Sequence, residues 1–202
     1  MTLPETDDQL FQAAQTGDEQ AFLTLYRRRE GAIYRFALHM SGSPAVAEDI
    51  TQEVFLTVLR GGWGYDPERG TLSGYLFGIA RKLILRQIER VHADVSLEEG
   101  HAEKAVAELA AGQDPLEDLT GRERIEALRR AVAALPRRYR EVVVLCDLEE
   151  VDYADAAAVL GCPIGTVRSR LHRARGLLLD KLNRERVPRA AAPALKPARC
   201  LI

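Results

Sequence analysis

The sequence predicts an all-α chain, two small helical modules joined by an acidic connector. Three observations predict it. Apolar residues recur at spacings of three and four almost everywhere, and no stretch alternates as a half-buried strand does. Glycine, proline and Asx/Ser clusters cut this pattern at regular points. Charge is sorted along the chain: residues 91–121 hold eight acids against one lysine, net −7, whereas residues 164–186 hold seven basic residues against two acids, net +5.

A short helix is expected over Asp7–Gln15, ended by Gly17 and Asp18. A long one follows over Glu19–Met40, with Phe22, Leu25, Tyr26, Ile33, Phe36, Ala37 and Met40 as its apolar series. "SGSP" at 41–44 is a turn that sets Pro44 at a helix start, and a third helix runs over Pro44–Leu59. The glycine-rich "RGGWGYDPERG", 60–70, stops it, and a fourth helix covers Leu72–Arg90. The stretch from 92 to 121 is poor in large apolar residues and reads as a linker, with transient helicity around 102–111. Helices return at Arg122–Leu135, Pro136–Leu148, Tyr153–Leu160 and Pro163–Leu182. The last sixteen residues contain three prolines and no helical stripe, the pattern of a disordered tail. The expected organisation is 1–91 for the first module, 92–121 for the linker, 122–186 for the second module and 187–202 for the tail.

Composition excludes several functions. With 202 residues and 47% apolar content the chain can bury a core. No apolar run approaches the roughly 18 residues of a membrane span. "MTLPETDDQL" lacks a basic start followed by an apolar run, so the expectation is a cytoplasmic protein without membrane insertion. Cys146, Cys162 and Cys200 suit reduced thiols, with the first two as small buried apolar residues. The four histidines show no zinc-ligand spacing. No phosphate-cradling glycine motif and no nucleophile paired with a histidine appear, so no catalytic residue, metal or cofactor is expected.

"CPIGTVRSRLHRAR", 162–175, sets four arginines around an apolar stripe of Ile164, Val167, Leu171, Ala174 and Leu178. Two short helices, a tight glycine-containing turn and a basic second helix describe a helix-turn-helix. Its second helix places N-terminal residues at base edges in the major groove. Thr166, Arg168, Ser169, His172, Arg173 and Arg175 fall outside the stripe as candidate DNA contacts. Arginine grips guanine O6 and N7 with two hydrogen bonds or neutralises a phosphate, and hydroxyls reach either. One such module buries roughly 600–1,000 Å² of protein surface on DNA, too little to select one genomic site. A second contact or a partner is required.

The first module offers two further faces. In "AEDITQEVFLTVL", Ala47, Ile50, Val54 and Val58 form a core stripe, while Asp49, Gln52, Glu53 and Leu56 share a second face at helical spacing. An acidic face with an exposed leucine suits a basic protein surface with an apolar centre; an ordinary solvated face has the same spacing. The following loop and helix carry Trp63, Tyr65 and Tyr75 among Arg69, Arg81, Lys82 and Arg86. Aromatics beside cations stack unpaired bases while holding the backbone. Part of the Tyr75, Leu76, Phe77 and Ile79 group is expected to be core instead.

In this order, "AEDITQEVFLTVL", "GYLFGIARKLIL" and "LPRRYREVVVLCDLEEVDYADAAAVLGCPIGTVRSRLHRARGLL" resemble a bacterial extracytoplasmic-function sigma factor, the small type with only domains two and four. The resemblance covers about 8–90 and 122–182. It implies that the helix with Asp49, Gln52 and Glu53 grips the β′ subunit of core RNA polymerase. It implies that loop 61–71 and the helix after it recognise and open the −10 promoter element, capturing a flipped base. It further implies that the helix-turn-helix reads the −35 element, that the acidic linker threads toward the RNA exit path, and that an anti-sigma factor holds the protein inactive. Polymerase, through β′ and β, would tether both modules so that weak contacts add through effective concentration. The chain departs from the family pattern at Lys82, Arg86 and Glu89–Arg90, and in the alanine-rich "YADAAAVLG". The alternative is a helix-turn-helix regulator that binds DNA without polymerase. It leaves the 49/52/53 face and the aromatic loop unused. A purely protein-binding adaptor leaves the arginines of 168–175 unexplained.

Overall fold

The computed structural model describes residues 6–61, 64–95 and 119–186. Their regular structure is helical: α1 (Asp7–Gln15), α2 (Glu19–Ser41), α3 (Pro44–Leu59), α4 (Leu72–Val95), α5 (Leu119–Ala133), α6 (Arg137–Val143), α7 (Tyr153–Leu160) and α8 (Ile164–Arg186). A π-helical turn, Val144–Leu148, continues α6. The linker core, the tail and Cys200 lie outside the described residues, as does the helicity expected around 102–111.

Local chemistry sets the boundaries of the first helices. Thr6 caps α1 in a reciprocal box: the Gln9 amide donates to Thr6 Oγ1 and the Thr6 amide to Gln9 Oε1. Gly17, at φ 97°, turns the chain, and the Asp18 carboxylate accepts from the Gln20 and Ala21 amides to open α2. Gly42, left-handed at φ 73°, closes α2, Ser43 caps α3, and Pro44 occupies its first turn.

Leu25, Ile33, Phe36 and Ala37 of α2 are buried against Ala47, Val54 and Val58 of α3 and Leu76, Phe77 and Ile79 of α4. Phe55 reaches α2 through Tyr26, at 4.7 Å between ring centroids, and Phe22, at 6.3 Å. In the second half, Ala131, Val132 and Leu135, then Val142 to Leu145, pack on Val167, Leu171, Ala174 and Leu178 of α8. These buried residues form one continuous apolar cluster with those of α1–α4, so the two halves are packed on each other.

Four expectations are corrected. Helix α4 continues to Val95, with no glycine or proline between Arg90 and Val95, and α5 opens at Leu119, carrying Gly121 within its first turn. The Pro136–Leu148 helix divides: Pro136 is the cap of α6, and the Glu149 amide bonds to the Val144 carbonyl five residues back, widening the last turn. Five residues are too few for an i→i+5 ladder to show as periodicity. Helix α8 starts at Ile164 and runs past Leu182 to Arg186. Ile164 leaves the apolar stripe, at 40% exposure, because it stands at the first turn, beyond the cover of α5 and α6.

Candidate nucleic-acid interface

The helix-turn-helix is closed by Gly161, left-handed at φ 63° and ψ 39°. Its amide and that of Cys162 donate to the Ala158 and Ala157 carbonyls, ending α7. The Thr166 amide then donates to the Pro163 carbonyl at 2.8 Å, starting α8. With Val167, Leu171, Ala174 and Leu178 buried, Arg168, Ser169, His172 and Arg173 stand exposed along the outer face. Ser169 Oγ donates to the Thr166 carbonyl at 3.0 Å. Arg175 differs from the others. Asp147, in the π-helical turn, binds its guanidinium with both oxygens, at 2.6 and 3.0 Å. That hydrogen bond and charge raise its pKa further, so Arg175 braces α8 against α6 rather than standing free for DNA. Cys146 beside it is half-buried, and burial pushes its thiol up to about 11, an unreactive thiol.

Along α4 and the loop before it the structure gathers the other candidates. Tyr65, Arg69, Tyr75, Arg81 and Lys82 line one cleft of about 330 Å³. Arg86 is exposed beyond it, and Trp63 lies outside the described residues. Tyr65 is less free than the glycine-rich loop suggested. Its hydroxyl donates to Asp8 at 2.5 Å and its ring meets Phe11 edge-on at 5.1 Å and Tyr75 at 5.4 Å. Burial and the Asp8 hydrogen bond raise its pKa. Tyr75 is half-buried in the same cluster, whereas Leu76, Phe77 and Ile79 are core.

Arg81 is the largest departure. Expected at a nucleic acid, it is half-buried and donates through Nε to Glu141 of α6 at 3.0 Å. Glu141, 3% exposed, and Asp155, which accepts from the Thr71 hydroxyl and amide, were not singled out from the sequence. The available signal was a glutamate inside the apolar run "YREVVVL". Arg35 of α2 likewise grips Glu149 with two bonds, at 2.9 and 2.6 Å.

The α3 face is as the spacing predicted. Asp49 and Gln52 are exposed, Glu53 is partly covered with Arg60 at 3.7 Å, and Leu56 is 39% exposed. Leu59 extends this apolar strip at 52% exposure. The described residues hold no helix long and apolar enough to cross a membrane and no group of acidic, histidine or cysteine side chains fit for a metal.

Residues 25–93 match the family model Sigma-70 region 2, and residues 125–178 match Sigma-70, region 4. The chain is 37% identical over 172 residues to the ECF RNA polymerase sigma factor SigE of Mycolicibacterium smegmatis, covering 83% of this chain and 65% of that one. It is 30% identical over 174 residues to SigW of Bacillus subtilis, covering 82% and 91%. Among solved structures, RpoE of Bartonella quintana, in complex with the anti-sigma factor NepR, superposes with a TM-score of 0.67 at 26% identity, covering 83% of this chain and 99% of that one. CnrH, in complex with the cytosolic domain of CnrY, gives a TM-score of 0.65 at 22% identity and shares the fold. With both regions present in order, and a relative matched over nearly its whole length, the chain belongs to the extracytoplasmic-function RNA polymerase sigma factors of the sigma-70 family.

Proposed function

We propose that this protein binds core RNA polymerase and directs it to promoters, as residues 1–91 contact the polymerase and the −10 element and residues 122–186 read the −35 element. One observation carries the reading: a module with an acidic, leucine-bearing α3 face and a cation-lined cleft is joined to a second module whose helix-turn-helix is basic. A regulator acting alone has no use for the first. Asp49, Gln52, Glu53 and Leu56 are the polymerase contacts. The described −10 contacts are Tyr65, Arg69, Tyr75, Arg81, Lys82 and Arg86; Trp63, outside the described residues, is added from the sequence. Arg168, Ser169, His172 and Arg173, with Thr166, read the −35 element, and Arg175 holds their helix in place.

The chemistry of RNA synthesis belongs to the polymerase. This chain positions and discriminates and needs no cofactor. Each bidentate arginine contact discriminates by about 1–3 kcal/mol, and tethering on polymerase makes two modest readers additive. The place of action follows from these partners: the cytoplasm. The likeness to RpoE, solved in complex with the anti-sigma factor NepR, supports an anti-sigma protein as a further partner.

The test is run-off transcription with purified bacterial core polymerase, this protein and a library of promoter fragments, beside an Asp49→Ala, Glu53→Arg double variant. Initiation that requires the protein and fails with the variant is the expected result. Sequence-specific binding by the protein alone, without initiation, would establish the polymerase-independent regulator instead.

A further inference from the structure

His172 stands exposed on the outer face of α8, with Arg168 one turn before it and Arg175 one turn after it. No described side chain forms a hydrogen bond or ion pair with it, or with Arg168 or Arg173. Its surroundings are cationic. Asp147, which the π-helical turn brings to α8, spends both oxygens on Arg175, and the Tyr153 hydroxyl of α7 engages the same guanidinium. The first acid of α8 itself, Asp180, comes eight residues later, roughly 12 Å along the helix. The elements packed on α8 hold their charges elsewhere. Helix α6 turns Glu141 to Arg81 and Arg140 to backbone carbonyls, and α7 turns Asp155 to Thr71. In α5, Glu126 pairs with Arg129, while Glu123 and Arg124 adjoin and offset each other. Arg137 and Arg138, exposed at the start of α6, add to the cationic side.

Position along the helix separates His172 from the base readers. At about 1.5 Å of rise per residue, His172 lies roughly 12 Å beyond Ile164, the first residue of α8. A major groove is about 12 Å wide. With the N-terminal turn at base edges, Arg168 and Ser169 stand over the groove floor and His172 stands at its rim, where the phosphates are. Ser169 cannot donate to a phosphate there, because its hydroxyl proton is held by the Thr166 carbonyl at 3.0 Å.

We propose that His172 is a proton-gated phosphate contact: charged, it ties the end of the reading helix to the DNA backbone, and neutral, it releases that phosphate. Its ligand is a duplex phosphate of any sequence, so the contact adds affinity without choosing bases. The inference rests on the reading of α8 as the DNA-binding helix. Imidazole is the side chain whose charge ordinarily changes between about pH 5 and 8. A phosphate beside it favours the charged form, so binding takes up a proton and falling pH tightens the complex. Only the charged form displaces a counterion, so acid also steepens the dependence on salt.

Fluorescence anisotropy of the full chain with a labelled short duplex of randomised sequence, at low salt, tests this. At pH 8 the wild type and His172→Gln should bind alike, within about twofold, the contact being neutral in both. At pH 5.5 the wild type should bind about tenfold more tightly than His172→Gln, as a charge-assisted hydrogen bond allows. Its slope of log affinity against log salt should then be steeper by about 0.9. His172→Lys carries a permanent charge and should hold the acid-level affinity at both pH values. His39→Gln should keep the wild-type response, since that histidine belongs to α2.

Equal affinities of wild type and His172→Gln at pH 5.5 would overturn the proposal. So would a pH response that disappears with His39 and survives without His172, or a duplex that binds at neither pH. The imidazole resonance of His172 gives a second readout: adding the duplex should move its titration to higher pH, and an unmoved titration would count against the contact. Run-off transcription reads the wider assignment separately. Promoter-dependent initiation without a His172-dependent pH response removes this contact alone. Proton-coupled duplex binding without initiation removes the polymerase reading and leaves the contact standing.

Discussion

Arg81 and Glu141 lie sixty residues apart in sequence and form a buried ion pair between the two halves, with side chains 21% and 4% exposed. Their burial is unequal, and so are the expected costs of breaking the pair. Arg81→Ala strands a buried carboxylate, a loss of about 3–5 kcal/mol. Glu141→Ala leaves a guanidinium that water still reaches, and costs less. Urea unfolding of both variants checks this. A loss from Glu141→Ala equal to or larger than that from Arg81→Ala would contradict the burial asymmetry.

His39 predicts how the junction responds to acid. It is surrounded by cations: Arg35 on its own helix, Arg129 of α5 and Arg140 of α6, with Glu149 and Glu126 engaged by Arg35 and Arg129. Burial and these charges hold its pKa below the usual 6.5. A depressed histidine supports the packed state while neutral, so its contribution is complete above about pH 6.5 and is lost as pH falls through the lowered value. Glu149 opposes it. Burial raises its pKa despite Arg35, so its proton uptake favours the packed state at low pH and that contribution fades as pH rises. His39→Gln isolates the two. Thermal melts from pH 7.5 to 5 should show the wild-type junction weakening with acid and the variant changing less. Identical profiles would remove His39 from the response.

Leu56 should separate folding from partner binding. At 39% exposure on the outer face of α3 it contributes little to the core. Leu56→Ala is expected to change stability by no more than about 0.5 kcal/mol. It should weaken core polymerase binding about tenfold, equivalent to about 1.4 kcal/mol. Unchanged affinity in a titration with labelled core enzyme would leave Asp49, Gln52 and Glu53 without their apolar centre.

The Asp147–Arg175 pair predicts a difference in salt dependence. With Arg175 tied to Asp147 at 2.6 Å, Arg175→Ala should leave the slope of log affinity against log salt unchanged for −35 DNA. Asp147→Ala releases a cation toward the phosphates and should steepen that slope by about 0.9. A shallower slope with Arg175→Ala would show that this arginine already contacts DNA in the native protein.

Much of this was legible in the sequence because the forces involved are local. Caps, prolines and left-handed glycines mark helix ends within a few residues, so Asp7–Gln15, Pro44–Leu59 and Tyr153–Leu160 are found at the bounds expected of them. Apolar spacing on α3 separates the buried Ala47, Ile50, Val54 and Val58 from the exposed Asp49, Gln52 and Leu56. The same rules place Arg168, Ser169, His172 and Arg173 outside the core of α8. The π-helical turn after α6 has no such mark, since a single widened turn leaves no period to detect.

By itself the sequence determined most helix bounds, their buried faces, the acidic connector and the basic recognition helix, because each depends on residues close together along the chain. Tertiary structure alone decided which charges meet. Arg81 finds Glu141, Arg35 finds Glu149, Thr71 finds Asp155 and Arg175 finds Asp147 across gaps of 28 to 114 residues. A side chain's spacing tells which way it points. Only the packed chain tells what stands opposite, and that partner, a carboxylate or a promoter, decides whether the same arginine is a strut or a reader.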